Sequence, residues 1–143
     1  GLFDPNDLSL RKELASESTF WAGRFSPDSR RFIGGTWMPD VRQYDVQTGE
    51  LIVTHRGHSQ LIPLAIPSVD GKFVYSAGME GVVKVWSAET GDEFASFSGG
   101  SNAFWIAALP DGFVVPFNDG TVRRWSTREM DARARHTFFE EPR

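Results

Sequence analysis

Short runs in which Val, Ile, Leu, Phe, Tyr and Trp alternate with polar residues recur along the chain, each bounded by Gly, Pro, Asp, Asn or Ser. A period of two fits a pleated strand with one buried face, and the bounding residues supply turns, so the pattern predicts an all-β protein. Three sets of four strands are expected: 20–25, 32–36, 41–45 and 51–55; then 61–66, 74–77, 82–86 and 93–97; then 104–109, 113–117, 121–125 and 133–138. An aromatic closes the third strand of each set at Tyr44, Trp86 and Trp125, and Phe3 stands one further period upstream, at spacings of 41, 42 and 39 residues. Asp or Ser follows each of them (Asp4, Asp45, Ser87, Ser126). A fixed period near forty marks a repeat architecture, in which one supersecondary unit buries its apolar face only by stacking on copies of itself.

The turns recur in phase with the strands. Ser26-Pro27-Asp28-Ser29 and Ser68-Val69-Asp70-Gly71 precede the closing aromatic by the same interval, whereas Pro110-Asp111-Gly112 lies two residues closer to Trp125 and predicts a shorter hairpin. A second turn follows the aromatic at Thr48-Gly49 and Thr90-Gly91, with looser equivalents at Asn6-Asp7 and Glu129-Met130. Fourteen Gly and eight Pro supply these turns, while twelve Phe and five Trp suit half-buried strands. Four strands per unit is the arrangement of a propeller blade.

The second unit resembles the WD-repeat β-propeller family most fully. Gly57-His58 opens it, Asp70-Gly71 makes the inner hairpin, Ser76 sits on the second strand, and Glu80-Gly81-Val82-Val83-Lys84-Val85-Trp86 is similar to the family's Asp-Gly-Thr-Val-Lys-Leu-Trp run. The resemblance covers nearly the whole chain. It implies a partial β-propeller of three four-stranded blades (16–56, 57–98 and 99–139), an orphan N-terminal outer strand within 1–15, and a tail, 140–143. It also implies a hydrogen-bonded structural chain through His58, Ser76, Glu80 and Trp86, with Glu in place of the usual Asp. The third unit keeps Asp119 and Trp125 of that network but has Gly99-Gly100 where Gly-His would stand. The first has Tyr44 for Trp, Ser16 near the His position and Met38 at the Asp position. A half-satisfied buried network is costly, so these two blades are expected to rest on packing and backbone ladders instead.

Because Phe3-Asp4 matches Tyr44-Asp45, the sequence is expected to begin at the end of a third strand, followed by an outer strand near 8–14, and Gly1 without an initiating Met reads as an excised or processed start. Closed propellers have about four to eight blades, so three fall short of a ring. If each open end leaves on the order of 500 Å² of apolar face wet, it forgoes roughly 12 kcal/mol, comparable to the whole stability of a domain. The ends therefore call for a cover, either the remainder of a larger propeller or a second copy. Light scattering checks this, since a stable monomer with bare ends contradicts it.

Charge and composition narrow the function. With 15 basic and 19 acidic residues the net charge is -4, which argues against nucleic acid as the main partner. Arg123, Arg124, Arg128, Arg133 and Arg135 are accompanied by Glu129, Asp131, Glu140 and Glu141, a mixed-charge blade edge. No run of eighteen apolar residues and no signal-peptide pattern appear, so the segment reads as soluble, with no membrane partner. The absence of Cys excludes disulfides and thiolate metal sites and leaves the compartment open. His55, His58 and His136 lack ligand spacing, Asn118-Asp119-Gly120 lacks the alternating carboxylates of a calcium loop, and no glycine pair leads into a helix that could hold phosphate. The expectation is a non-enzyme without metal or cofactor.

Surface recognition remains. The family resemblance places partner-facing residues in the loop entering each first strand and on the hairpin before the Asp position. By position these are Thr19 and Trp21, Leu61 and Pro63, and Phe104 and Trp105, with Trp37, Met79 and Asn118 on the hairpins. Aromatic and Met side chains are enriched where proteins bind. A non-catalytic protein or peptide interaction scaffold is the favoured reading. A glycan or small-ligand propeller, or the accessory domain of a larger enzyme, is the alternative.

Overall fold

A computed structural model of the protein describes residues 2–3, 10–12 and 19–126. Strands β1 (Leu2–Phe3) and β2 (Leu10–Lys12) pair antiparallel as a two-stranded sheet, where the N-terminal outer strand was expected. The first large sheet holds β3 (Phe20–Phe25), β4 (Arg31–Thr36), β5 (Asp40–Asp45) and β6 (Leu51–Arg56) in that order. The second holds β7 (Leu64–Pro67), β8 (Phe73–Ala77), β9 (Val82–Ser87) and β10 (Glu93–Ser98). The third holds β11 (Ala107–Leu109), β12 (Gly112–Pro116) and β13 (Val122–Ser126). All neighbours are antiparallel, the described residues contain no helix, and the three sheets do not close into a ring. The strand expected at 133–138, the turn at Glu129-Met130, Asp4, Asn6-Asp7 and Ser16 lie outside the described residues.

Two inner strands start three residues later than the alternation predicts, β7 at Leu64 and β11 at Ala107. Pro63 has no N–H to give a ladder, and Leu61 spends its carbonyl on Met79 N, so the chain enters the second sheet as a loop. Ahead of β11, Ala103 makes only an isolated bridge to Phe117.

Inner strand β3 lies beside β7, and β7 beside β11, so the sheets stack face to face. Period-two pleating then divides the second sheet between two joints. Val74 and Trp86 pack toward the first sheet with Ile33, Val41, Ile62 and Ala65. Tyr75, Val83 and Val85 pack toward the third with Phe97, Phe113 and Val115. Both faces of β8 and β9 are therefore covered, which is why their apolar runs are nearly continuous. The far face of the first sheet carries an aromatic cluster: Phe20 meets Phe32 at 5.5 Å and Tyr44 at 5.7 Å, and Phe25 meets Phe32 at 5.7 Å. Gly23 and Gly34 leave room for it, since a Cβ there would come within 2.4 Å of the Phe32 ring and 2.5 Å of the Phe20 ring.

The repeat extends to the atoms of the turns. Ser26 Oγ donates to Asp28 Oδ1 (2.6 Å), which also accepts from Arg30 N (3.0 Å). In the next sheet Ser68 Oγ donates to Asp70 Oδ1 (2.7 Å), which accepts from Lys72 N (3.0 Å). The serine hydroxyl, chiefly, holds each carboxyl below its ordinary range. In the third sheet Leu109 pairs directly with Gly112, leaving the shorter two-residue hairpin anticipated from Pro110-Asp111.

Candidate functional site

The second sheet joins four side chains in one polar chain. Trp86 Nε1 donates to Ser76 Oγ (2.8 Å), Ser76 Oγ lies 2.7 Å from His58 Nε2, and His58 Nδ1 meets Glu80 Oε1. With Ser76 donating to Nε2 and Nδ1–H donating to the carboxylate, every bond is served by a neutral imidazole. Burial lowers the His58 pKa accordingly, opposed by Glu80. This chain fixes the Trp86 indole, and of the Glu80 carboxylate it uses Oε1, leaving Oε2 buried without a partner.

Asp119 and Trp125 do not form a corresponding pair. Asp119 Oδ1 is taken by Thr121 N (2.9 Å) and Oγ1 (2.6 Å) at an exposed hairpin tip, while the Trp125 ring packs on Phe113 at 5.2 Å and Phe97 at 5.3 Å. Gly100 and Val115, standing where His58 and Ser76 stand in the second sheet, offer no side-chain hydrogen bond to the indole.

The first sheet is not left to packing and ladders, as the sequence led one to expect. Thr36 Oγ1 donates to Asp40 Oδ1 (2.6 Å), and Arg42 pairs with Asp40 Oδ2 (3.2 Å). The carboxylate sits two residues beyond the family's Asp position, which is why the motif did not reveal it. A second unforeseen network sits at the joint with the next sheet. Gln43 Nε2 donates both to His55 Nε2 (2.8 Å) and to Ala88 O (3.0 Å), and Arg31 donates to Ala88 O (2.8 Å) and Gln43 Oε1 (3.3 Å). Those bonds fix the amide orientation, so His55 Nε2 must accept and the ring must be neutral. Burial pushes the His55 pKa down to about 4, opposed only partly by the Gly91 backbone, which lies alongside Nδ1 without a fully formed hydrogen bond. The signal was present in the sequence: Gln43 alternates with Val41 on the core face of β5, and Val41 lies opposite His55.

One rim of the three sheets is defined by a repeated backbone bond. Trp37 N donates to Thr19 O (3.1 Å), Met79 N to Leu61 O (3.1 Å) and Asn118 N to Asn102 O (2.8 Å). Trp37, Met79 and Asn118 are thus equivalent, as the sequence spacing placed them. The entering loops align differently in the third sheet, where Asn102 answers to Thr19 and Leu61, and Phe104 to Trp21 and Pro63. Pro63 is buried and offers no contact surface, a correction to its sequence-based assignment. Leu61 and Met79 are half-buried and Asn118 is exposed.

Large apolar groups cluster at the rest of the rim. Trp21, Trp37 and Met38 are 53%, 54% and 55% exposed, and Phe104 and Trp105 are 45% and 51% exposed. Trp21 is the extra residue of a β-bulge between Phe20 and Ala22, and such a bulge re-aims its side chain. Here it meets Trp37, ring centroids 5.0 Å apart. The hairpin beneath Trp37 is held by the Thr36 hydroxyl, whose one proton lies between Asp40 Oδ1 (2.6 Å) and Met38 O (2.8 Å), so the pair stands on a fixed base. Among the described residues no three His, Cys, Asp or Glu side chains gather to hold a metal, and no helix is long and apolar enough to cross a membrane.

No family model matches the chain, and no curated protein matches it in sequence. Solved structures do match in fold. The WD40 repeats of RRP9 superpose with a TM-score of 0.74 at 17% identity, covering 80% of this chain and 37% of that one. U3-55K superposes with a TM-score of 0.74 at 17% identity, covering 80% of this chain and 38% of that one. The chain spans less than two-fifths of either. Its stacked antiparallel sheets, with strands in chain order and unclosed, therefore have the fold of part of a WD40 β-propeller.

Proposed function

We propose that the chain is a non-catalytic docking module, a wedge of a WD40 propeller that presents one rim to a protein partner while its end faces are covered by further blades or a second copy. The observation that carries the reading is the half-exposed set Trp21, Trp37, Met38, Phe104 and Trp105 on that rim. Large rigid side chains held half out of water are poor fillers and good anchors, because they offer apolar area at little cost in side-chain entropy. The fold match to WD40 repeats supports the scaffold reading. The hydrogen-bonded chain from Glu80 to Trp86 is a structural brace in this reading.

The test separates anchors from packing. In the double variant Trp21→Ala, Trp105→Ala the melting temperature should move by less than about 2 °C, while retention of a cross-linked protein partner is lost. A fall of roughly 5 °C or more would assign both rings to the core. Capture by a glycan array with no protein partner would move the reading to the ligand-binding alternative.

A further inference from the structure

The described cations with close carboxylates are neutralised by them: Arg42 meets Asp40 at 3.2 Å, Lys84 meets Glu93 at 2.9 Å and Arg124 meets Asp111 at 2.7 Å. Arg24 is held without being neutralised. It projects from the inner strand β3, its NH1 donates to the neighbouring Gly23 O (3.0 Å), and its guanidinium carbon lies 5.7 Å from the centroid of the Trp105 ring. No carboxylate among the described residues pairs with it. Trp105 belongs to the third sheet's entering loop, so the contact reaches across the inner strand of the second sheet and joins the first sheet to the third.

A guanidinium resting on an indole face keeps its planar N–H edge available, and it has already lost part of the freedom that binding would otherwise remove. That edge suits the two oxygens of a carboxylate. Trp21 lies three residues up the same strand, at the bulge, and faces Trp37. An apolar group and a fixed cation therefore stand close together on one strand.

We propose that Arg24, seated on Trp105, receives an Asp or Glu side chain of a partner segment whose nearby apolar residue lies on Trp21 and Trp37. This rests on the docking reading above and names the chemistry of the partner. A single guanidinium on a chain of net charge -4 suits one carboxylate.

The experiment uses the full chain and three capped pentapeptides, Leu-Gly-Gly-Glu-Gly, its Gln counterpart and its phosphoserine counterpart, followed by NMR of the Trp indole and Arg Nε–H signals. The Glu peptide should shift Trp21, Trp37, Trp105 and Arg24 and bind about tenfold or more tightly than the Gln peptide. Arg24→Gln should erase that difference while the Trp21 and Trp37 shifts persist. Equal binding of Glu and Gln peptides, with the tryptophans shifting, overturns the carboxylate site and leaves the rim reading standing. Tighter binding of the phosphoserine peptide overturns it in favour of phosphate. Absence of any tryptophan shift overturns both.

Discussion

His55 and Phe97 hold the same place in successive sheets, opposite Val41 and Val83, and each lies 5.3 Å from the tryptophan of the next sheet, Trp86 or Trp125. One joint is polar and the other is aromatic. Around Trp86, His55 is locked by Gln43, and His58 is locked by Ser76. Around Trp125, Val115 replaces Ser76 and Phe113 replaces Val74, so that the indole stacks on Phe113, which in turn meets Tyr75 at 4.5 Å. One backbone spacing thus accepts two chemistries. The polar joint depends on directed hydrogen bonds and a neutral imidazole, whereas the aromatic joint needs only volume and shape.

The largest effect should come from emptying the aromatic joint. Phe113 is fully buried, and Phe113→Ala removes the ring shared by Tyr75, Phe97 and Trp125. A loss of about 3–5 kcal/mol is expected by denaturant titration, and a loss below 1 kcal/mol would show that the joint carries little of the stability.

Next comes the pH response of the polar joint. The folded pKa of His55 is about 4, below its ordinary 6.5, so the unfolded chain binds the extra proton between those values. Its contribution is complete above pH 6.5, declines as pH falls, and is gone below pH 4, amounting to about 3 kcal/mol. His58 is depressed by burial too and adds a slope of the same sign. His55→Phe, which copies the aromatic joint, should flatten the profile to the share due to His58. An unchanged slope would show that His55 is not the group responsible.

A smaller loss is expected from Ser76→Ala, which strands Trp86 Nε1 and His58 Nε2 together. It should cost about 1–3 kcal/mol. Val115→Ser in the third sheet should recover nothing, because no histidine stands at Gly100 to complete the chain. A stabilised Val115→Ser variant would erase the distinction between the joints.

The sequence by itself determined the four strands of each of the first two sheets, the turn residues and the placement of His58, Ser76, Glu80 and Trp86, because these depend on local alternation, on fixed turn chemistry and on a spacing that returns each unit to the same register. It also placed Trp37, Met79 and Asn118 at equivalent hairpin positions. Pairing across sheets was beyond its reach: that Gln43 reaches Ala88, that Arg24 reaches Trp105, that Asp40 replaces the missing carboxylate, and that Pro63 turns inward. Those contacts join residues far apart along the chain, and only the stacking of the sheets, driven by burial of their apolar faces, decides which side chains meet.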